Sequence, residues 1–292
     1  MESREPFVDF TSNEKLLEPE TQLDTGNNSL RFAVATMVSA EPTFSTYRDL
    51  VHKISIDVGR NESFILRPSY KDVRTELEKA NVDVALVCTG TYVHTRSGKR
   101  VKLLVQPEFE NGIDYRGMII VPANSTTRTI EDLRGKVMAF TDPESHTGFV
   151  VPTVAVADLG YSVQDFFKKI IFTDSHDRSI RAVALGVVDG AGIMSLVWDS
   201  LLLKDPLLSD SVKIIWRSEP FGPPSIVVPV GLDKNLEESL LQAFLSLNET
   251  QEGREILSTL RIKRFVPGRD EDYQTAVKLY DRFKTIGDSQ WP

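Results

Sequence analysis

Cys88 is the only cysteine of the chain, and it stands where an apolar run gives way to hydroxyl-bearing residues, in LVCTGTYVHT, residues 86–95. A lone thiol is an inert core residue, a nucleophile, or a ligand for a soft atom, and most lone cysteines merely pack. Being single, it forms no internal disulfide and leaves the redox compartment open. Thr89, the amide of Gly90 and Thr91 follow it at what reads as a strand end and a helix start. A second stretch, AFTDPESHTGFVVP at 139–152, has the same logic. Asp142-Pro143 makes a turn, Ser145 or Thr147 caps the helix that follows, and Gly148 lets backbone approach a guest closely. The first amides of a helix lack internal partners, and its dipole favours electron-rich groups there. Hydroxyls, amides and the imidazole of His146 would therefore converge on the oxygens of a small ligand. An ordinary capping loop reads the same way from pattern alone. Neither stretch is a Walker loop, and no G-x-G-x-x-G fingerprint occurs.

The four histidines, His52, His94, His146 and His176, show no metal-ligand spacing, so neither a zinc site nor a resident cofactor is expected. His52 reads as a solvated helix-face residue and His94 as local decoration. Cys88 with His146 or His176 can be drawn as a nucleophile and its base. No G-x-C-x-G-like elbow surrounds the cysteine, and no third orienting residue is evident, so binding is favoured over catalysis.

The elements that must position these residues follow from the rest of the chain. Its 292 residues favour two domains, and 41% apolar with 26% charged content describes a soluble globular protein. A net charge of −8 argues against a general nucleic-acid binder. No apolar stretch approaches the roughly 18 residues that span a bilayer. MESREPFVDF has neither a basic n-region nor an apolar h-region, so the expectation is a cytosolic chain or an exported one written without its leader.

Residues 1–28, with seven acids against two bases, read as an acidic, poorly ordered arm. From residue 29 short apolar strands alternate with helical periodicity: LRFAVATMV, SFILRP and VDVALV are strands, and YKDVRTELEKA is a helix between two of them. The pattern resumes with RGMIIVP, KVMAF, KIIFT, AGIMS, VKIIWR and SIVVPV as strands, with TIEDLRG as a short helix. It predicts two α/β lobes, each a mainly parallel sheet flanked by helices. Lobe one takes residues 29–116 with 223–292, lobe two takes 117–222, and the chain crosses near DYRGMIIV and FGPPSIVV. Ligands collect at the carboxyl ends of such strands, where Cys88 and the 139–152 loop both fall. Trp198 and Trp216 are expected to pack within the lobes.

VDVALVCTGTYV, YRGMIIVP, TIEDLRGKVMAFTDPESHTGFVVP and FTDSHDRSIRAVALGVVDGAGI together resemble the phosphonate/phosphite-binding periplasmic proteins, over about residues 30–285. DPESHTG is similar to that family's Asp-Pro-x-Ser-x-Ser/Thr-Gly anion loop. The resemblance implies a two-lobed type II periplasmic-binding-protein fold, a periplasmic location, and Ser145 and Thr147 bonded to ligand oxygens. It also implies that His176, in SHD, lines the pocket and that Tyr92 and Tyr47 lie near aromatic wall positions. A carboxylate near Asp199 would meet a ligand ammonium; with an amine-free guest, Asp199 is expected to cap a helix.

Cys88 departs from the transport members, which carry glycine or another small residue there. A narrower branch, the periplasmic arsenite-binding sensory proteins associated with arsenite oxidation, has cysteine, and LVCTGTYVHT with KLLVQPEF is similar to it. That resemblance implies Cys88 as the ligand of As(III), since soft arsenic prefers sulfur. Thr89, Gly90, Thr91, Ser145, His146, Thr147 and Gly148 would then surround the arsenic hydroxyls. A thiol at a helix start is expected to have a lowered pKa. The implied partner is the periplasmic part of a membrane histidine kinase. The alternatives are a phosphate, phosphite or phosphonate carrier serving an ABC permease and, behind it, a cysteine-dependent enzyme.

Overall fold

The computed structural model describes residues 28–109 and 115–287, so the expected acidic arm at 1–28 lies almost wholly outside the described residues. The chain runs β1 (Ser29–Ala35), α1 (Ala40–Asp57), β2 (Asn61–Arg67), α2 (Tyr70–Glu78), β3 (Val84–Val87), α3 (Thr89–Ser97) and β4 (Val101–Glu108). It continues with β5 (Tyr115–Pro122), β6 (Val137–Phe140), a π-helical turn over His146–Val150, α4 (Val151–Asp158), α5 (Val163–Phe166), β7 (Lys169–Phe172), α6 (His176–Ala184) and β8 (Gly190–Met194). Then come α7 (Ser195–Lys204), α8 (Leu208–Ser211), β9 (Val212–Phe221), β10 (Ser225–Pro229), α9 (Lys234–Leu245), α10 (Gln251–Leu260), β11 (Arg264–Pro267) and α11 (Gln274–Gly287). The expected helix at TIEDLRG is only a 3-10 turn, Glu131–Leu133.

Two sheets form, in the orders β11-β4-β10-β3-β1-β2 and β7-β6-β8-β5-β9. The chain passes from the first to the second between β4 and β5, and back between β9 and β10. This is the two-lobed arrangement with two crossings. The sheets are mixed, though, rather than mainly parallel. The β2-β1-β3 and β7-β6-β8 triplets are parallel, whereas β10 runs against β3 and β4, and β5 runs against β8 and β9. The edge strand β11 also runs against β4; β5 and β10 are each the first strand laid down after a crossing, when the chain comes back from the other lobe.

Burial explains the strand composition. β1 sits between β2 and β3 with Leu30, Phe32, Ala33 and Val34 fully buried, so apart from Arg31, which pairs with Asp83, it reads as the apolar run of a strand covered on both faces. In β5, Met118 and Ile120 join one apolar cluster while Ile119 and Val121 join another, the period-two division of a sheet's faces. The first cluster continues through Tyr115 and Phe221 into the first lobe, and the buried Trp198 belongs to it. Trp216 is half-buried and packs against both.

Helix ends carry side-chain and glycine caps. Ser69 accepts from the Asp72 amide at 3.1 Å, Asp233 caps α9, and Gly160 at φ +84° stops α4 in a conformation that favours glycine. The last helix, α11, lies against α3 of the first lobe and against α4 and the π-helical turn of the second. His94 Nδ1 is 2.6 Å from the Tyr280 hydroxyl, Phe283 meets Phe149 edge-on at 5.6 Å, and Arg282 pairs with Asp158. His94 is thus a tie between α3 and α11 rather than decoration. Exposed His52 faces Glu62 at 2.9 Å.

Candidate functional site

β3, buried along its whole length, delivers Cys88 to the first position before α3. The sulfur acts as the helix cap: Cys88 Sγ accepts from the Thr91 amide at 3.4 Å and lies 3.3 Å from Thr91 Oγ1. It also lies 3.8 Å from the carbonyl oxygen of Glu144, which belongs to the second lobe. The buried sulfur therefore belongs to the first apolar cluster and at the same time faces the opposing loop. Burial pushes the thiol up to about 11, against the lowering effect of its Thr91 hydrogen bonds. The expected lowering is thus reversed, because one helix terminus does not offset the loss of water around a thiolate.

On the facing side, β6 ends at Phe140, and Asp142 organises the loop. Its Oδ1 accepts from the Glu144 amide at 2.7 Å, and its Oδ2 from the Tyr70 amide of the first lobe at 3.2 Å. Ser145 Oγ accepts from the Gly148 amide at 3.1 Å. The Ser145 carbonyl accepts from both Phe149 and Val150, which widens the first turn into the π form. Thr147 Oγ1 lies 3.3 Å from the Tyr115 hydroxyl.

His146 is fully buried, edge-on to Phe221 at 4.4 Å, and neither ring nitrogen has a partner. Burial holds its pKa down to about 3, so the ring is neutral with one donor and one acceptor unmet. Thr141 Oγ1 and Ser175 Oγ, at the ends of neighbouring strands, are likewise buried without partners.

The two loops meet closely. A Cβ on Gly90 would stand 2.5 Å from the Glu144 oxygen and 3.1 Å from the His146 nitrogen, so Gly90 admits the second lobe's backbone. Gly148 serves a different purpose from the expected one: a Cβ there would overlap Thr141 Oγ1 and stand 2.8 Å from Ser145 Oγ. Its smallness is required by the loop's own packing.

Other expected residues lie around this core rather than in it. Thr89 Oγ1 donates to the Gly222 carbonyl at 2.7 Å, at the second crossing. Tyr92 is buried, but its hydroxyl donates to Asp270 and its ring packs on Tyr273 at 4.7 Å, directed away from the facing loop. His176 opens α6; its Nδ1 accepts from the Met194 amide at 3.2 Å, and its own amide donates to Met37 of the first lobe at 3.2 Å. Burial lowers its pKa to about 3 as well. Tyr47 lies half-buried within α1. Asp199 is exposed in the interior of α7, away from the capping position that Met194 takes.

Two residues that sequence reasoning missed join the core. Tyr70, first residue of α2, is buried, with its phenol pKa raised by burial and then by Cys88, Asp142 and Tyr115, and lowered by a hydrogen bond with Ser145. Tyr115, first residue of β5, is buried between Thr147 and Thr89. The signal for Tyr70 was its place after RPS, at a strand-to-helix turn like that of Cys88.

The assembled core thus presents a thiol, hydroxyls, amides and a neutral imidazole. Arg74, one turn beyond Tyr70, is committed to Glu144 at 2.9 Å and to Glu78 at 3.1 Å. Such a shell suits a small, hydroxyl-rich oxyacid that both donates and accepts hydrogen bonds. Among the described residues no three His, Cys, Asp or Glu side chains gather as a metal centre, and no helix is long and apolar enough to cross a membrane.

Known proteins support the same architecture. The chain is 23% identical over 185 residues to a probable ABC transporter phosphite binding protein of Prochlorococcus marinus, covering 59% of this chain and 62% of that one. It is 26% identical over 186 residues to a phosphate-import protein of Mycolicibacterium smegmatis, covering 60% and 58%. The match therefore spans about 60% of the length of these relatives. The crystal structure of a binding protein component of an ABC phosphonate transporter from Pseudomonas aeruginosa superposes with a TM-score of 0.83 at 20% identity, over 89% of this chain and 87% of that one. The model of the family described as "ABC transporter, phosphonate, periplasmic substrate-binding protein" matches residues 32–273, and the chain belongs to that family.

Proposed function

We propose that this chain is the periplasmic binding component of an ABC importer for small phosphorus oxyacids: phosphate, phosphite or a simple phosphonate. One observation carries the reading. The amino-terminal turns that follow Cys88 and Ser145, one from each lobe, face each other with the hydroxyls of Tyr70, Tyr115, Ser145 and Thr147 between them. A guest bonded to both turns stabilises the closed lobes by its differential affinity, and a permease reads that closure. The names of the relatives, which handle phosphite and phosphate, support the same ligand class. Calorimetric titration with phosphite, phosphate and methylphosphonate tests it. Saturation by one equivalent of at least one of them, with no product formed, is expected; heats of dilution for all three would overturn the reading.

The position of Cys88 favours a second reading, arsenite as the guest. Its sulfur points across the cleft at the Glu144 carbonyl and is a neutral thiol. Arsenous acid is itself uncharged near neutral pH. The thiol condenses with As(OH)3 to give S–As(OH)2: an As–S bond forms, an As–O bond breaks, and the thiol proton leaves with hydroxide as water. Oxidation states do not change. The two remaining hydroxyls meet the same serine, threonine and tyrosine oxygens, and in this reading the partner is the periplasmic part of a histidine kinase. Cys88→Ser separates the two. It is expected to weaken arsenite binding by ~100-fold or more, about 2.7 kcal/mol, while phosphite affinity stays within a few-fold. Equal arsenite affinity in both proteins removes arsenite from consideration.

A further inference from the structure

Closure is usually credited to the guest, but the contacts between these lobes include two carboxylates of the protein itself. Asp177, in the first turn of α6 in the second lobe, accepts from the Ser39 amide at 2.9 Å through Oδ1 and from the Ser39 hydroxyl at 2.5 Å through Oδ2. Ser39 is the capping residue of α1 in the first lobe, and its side chain makes no cap bond to that helix. The electron-rich group at the amino terminus of α1 therefore comes from across the cleft. Asp142 does the same for α2: its Oδ2 accepts from the amide of Tyr70, the first residue of that helix, at 3.2 Å. Both carboxylates are almost fully buried, 7% and 6% exposed.

We infer that Asp177 and Asp142 form a closure latch, two second-lobe carboxylates that cap the amino termini of two first-lobe helices and hold the cleft shut without a guest. The Asp177 charge lies at the amino ends of α6 and α1 together, a position an anion favours over facing either alone. Opening the lobes strips it of the Ser39 amide and hydroxyl. The nearby bond from the His176 amide to the Met37 carbonyl, 3.2 Å, breaks in the same movement. In this arrangement the helices that follow Cys88 and Ser145 are left for the guest, while α1 and α2 are already served. The latch rests on the reading of the chain as a cleft-closing solute receptor.

Asp177 is the cleaner target, because Asp142 also shapes its own loop through the Glu144 amide. The test is small-angle scattering of the guest-free protein together with stopped-flow dissociation of phosphite, on wild type, Asp177→Asn and Asp177→Ala. Guest-free wild type is expected to scatter as the compact form. Asp177→Ala should expand measurably and release phosphite about 10-fold faster, with little change in association rate, since charge-assisted bonds made only in the closed state are lost. Asp177→Asn, which keeps an acceptor oxygen, should fall between the two. Wild-type scattering and release from Asp177→Ala would overturn the latch. If that variant fails to fold, Ser39→Ala removes only the hydroxyl arm and must still shift scattering in the same direction. The scattering arm uses no guest, so a failure of phosphite to bind counts against the proposed function and leaves the latch to be judged separately.

Discussion

Gly90→Ala is expected to weaken guest binding by about 10- to 100-fold and, since the latched lobes are closed without a guest as well, to lower the melting temperature modestly. Gly90 is the second residue of α3, and its φ is not positive, so alanine suits its backbone and is the better helix former by ~1 kcal/mol. The first lobe on its own is not harmed. The added Cβ, however, would stand 2.5 Å from the Glu144 carbonyl oxygen and 3.1 Å from the His146 nitrogen. Both are backbone atoms of a loop pinned by Asp142, so no side-chain rotation relieves the clash. Relief comes only by parting the lobes. Overpacking of this kind costs roughly 1–3 kcal/mol, and here the cost falls on the closed state alone. Calorimetry gives the affinity and scanning calorimetry the stability. An unchanged Kd would mean that the liganded lobes stay farther apart at this point.

A large fall in stability on acidification is the second expectation. His146 and His176 are buried and held down to about 3, mainly by loss of solvation, whereas an unfolded histidine titrates near 6.5. Between those values the unfolded chain binds protons that the folded one does not, so stability is complete above about 6.5 and is lost as pH falls toward 3. Each group contributes about 1.4 kcal/mol per pH unit inside that window. Going from pH 7 to pH 5 should therefore cost on the order of 4 kcal/mol from the pair. Asp142, whose carboxyl burial raises, works in the opposite sense, and only at the acid end of the range. Denaturant unfolding at the two pH values measures the fall, and His146→Gln should remove about half of it. Parallel unfolding curves for wild type and variant would show that His146 charges without penalty in the fold.

Much of this was legible in the chain because strand-helix alternation is local. VDVALV running into CTGT, and VMAF running into TDPESHTG, already placed two amino-terminal turns at strand ends, and the fold puts them there. What was not legible depends on the second lobe. The raised pKa of Cys88 comes from burial completed by a loop 56 residues away. Tyr92 looked like a wall residue by its nearness to Cys88, but one helical turn carries its hydroxyl to Asp270. Tyr115 carries no local mark; it is the first residue of β5, and only the folded chain brings its hydroxyl beside Thr147. The reversed strands β5 and β10 follow from where the chain crosses, which composition does not encode.

The wide turn over His146–Val150 gives this loop an unusual tolerance of one kind of change. A π turn holds one residue more than an α turn, as the bond from the Val150 amide to the Ser145 carbonyl at 3.0 Å requires. Losing Phe149 alone would let the segment relax to α geometry, with the chain on either side keeping nearly its present phase about the axis of α4. The ring that meets Phe140, Phe172 and Phe283 would be gone, yet Ser145 would still stand over the cleft. A lost codon here would erode the second lobe's core before it silenced the site.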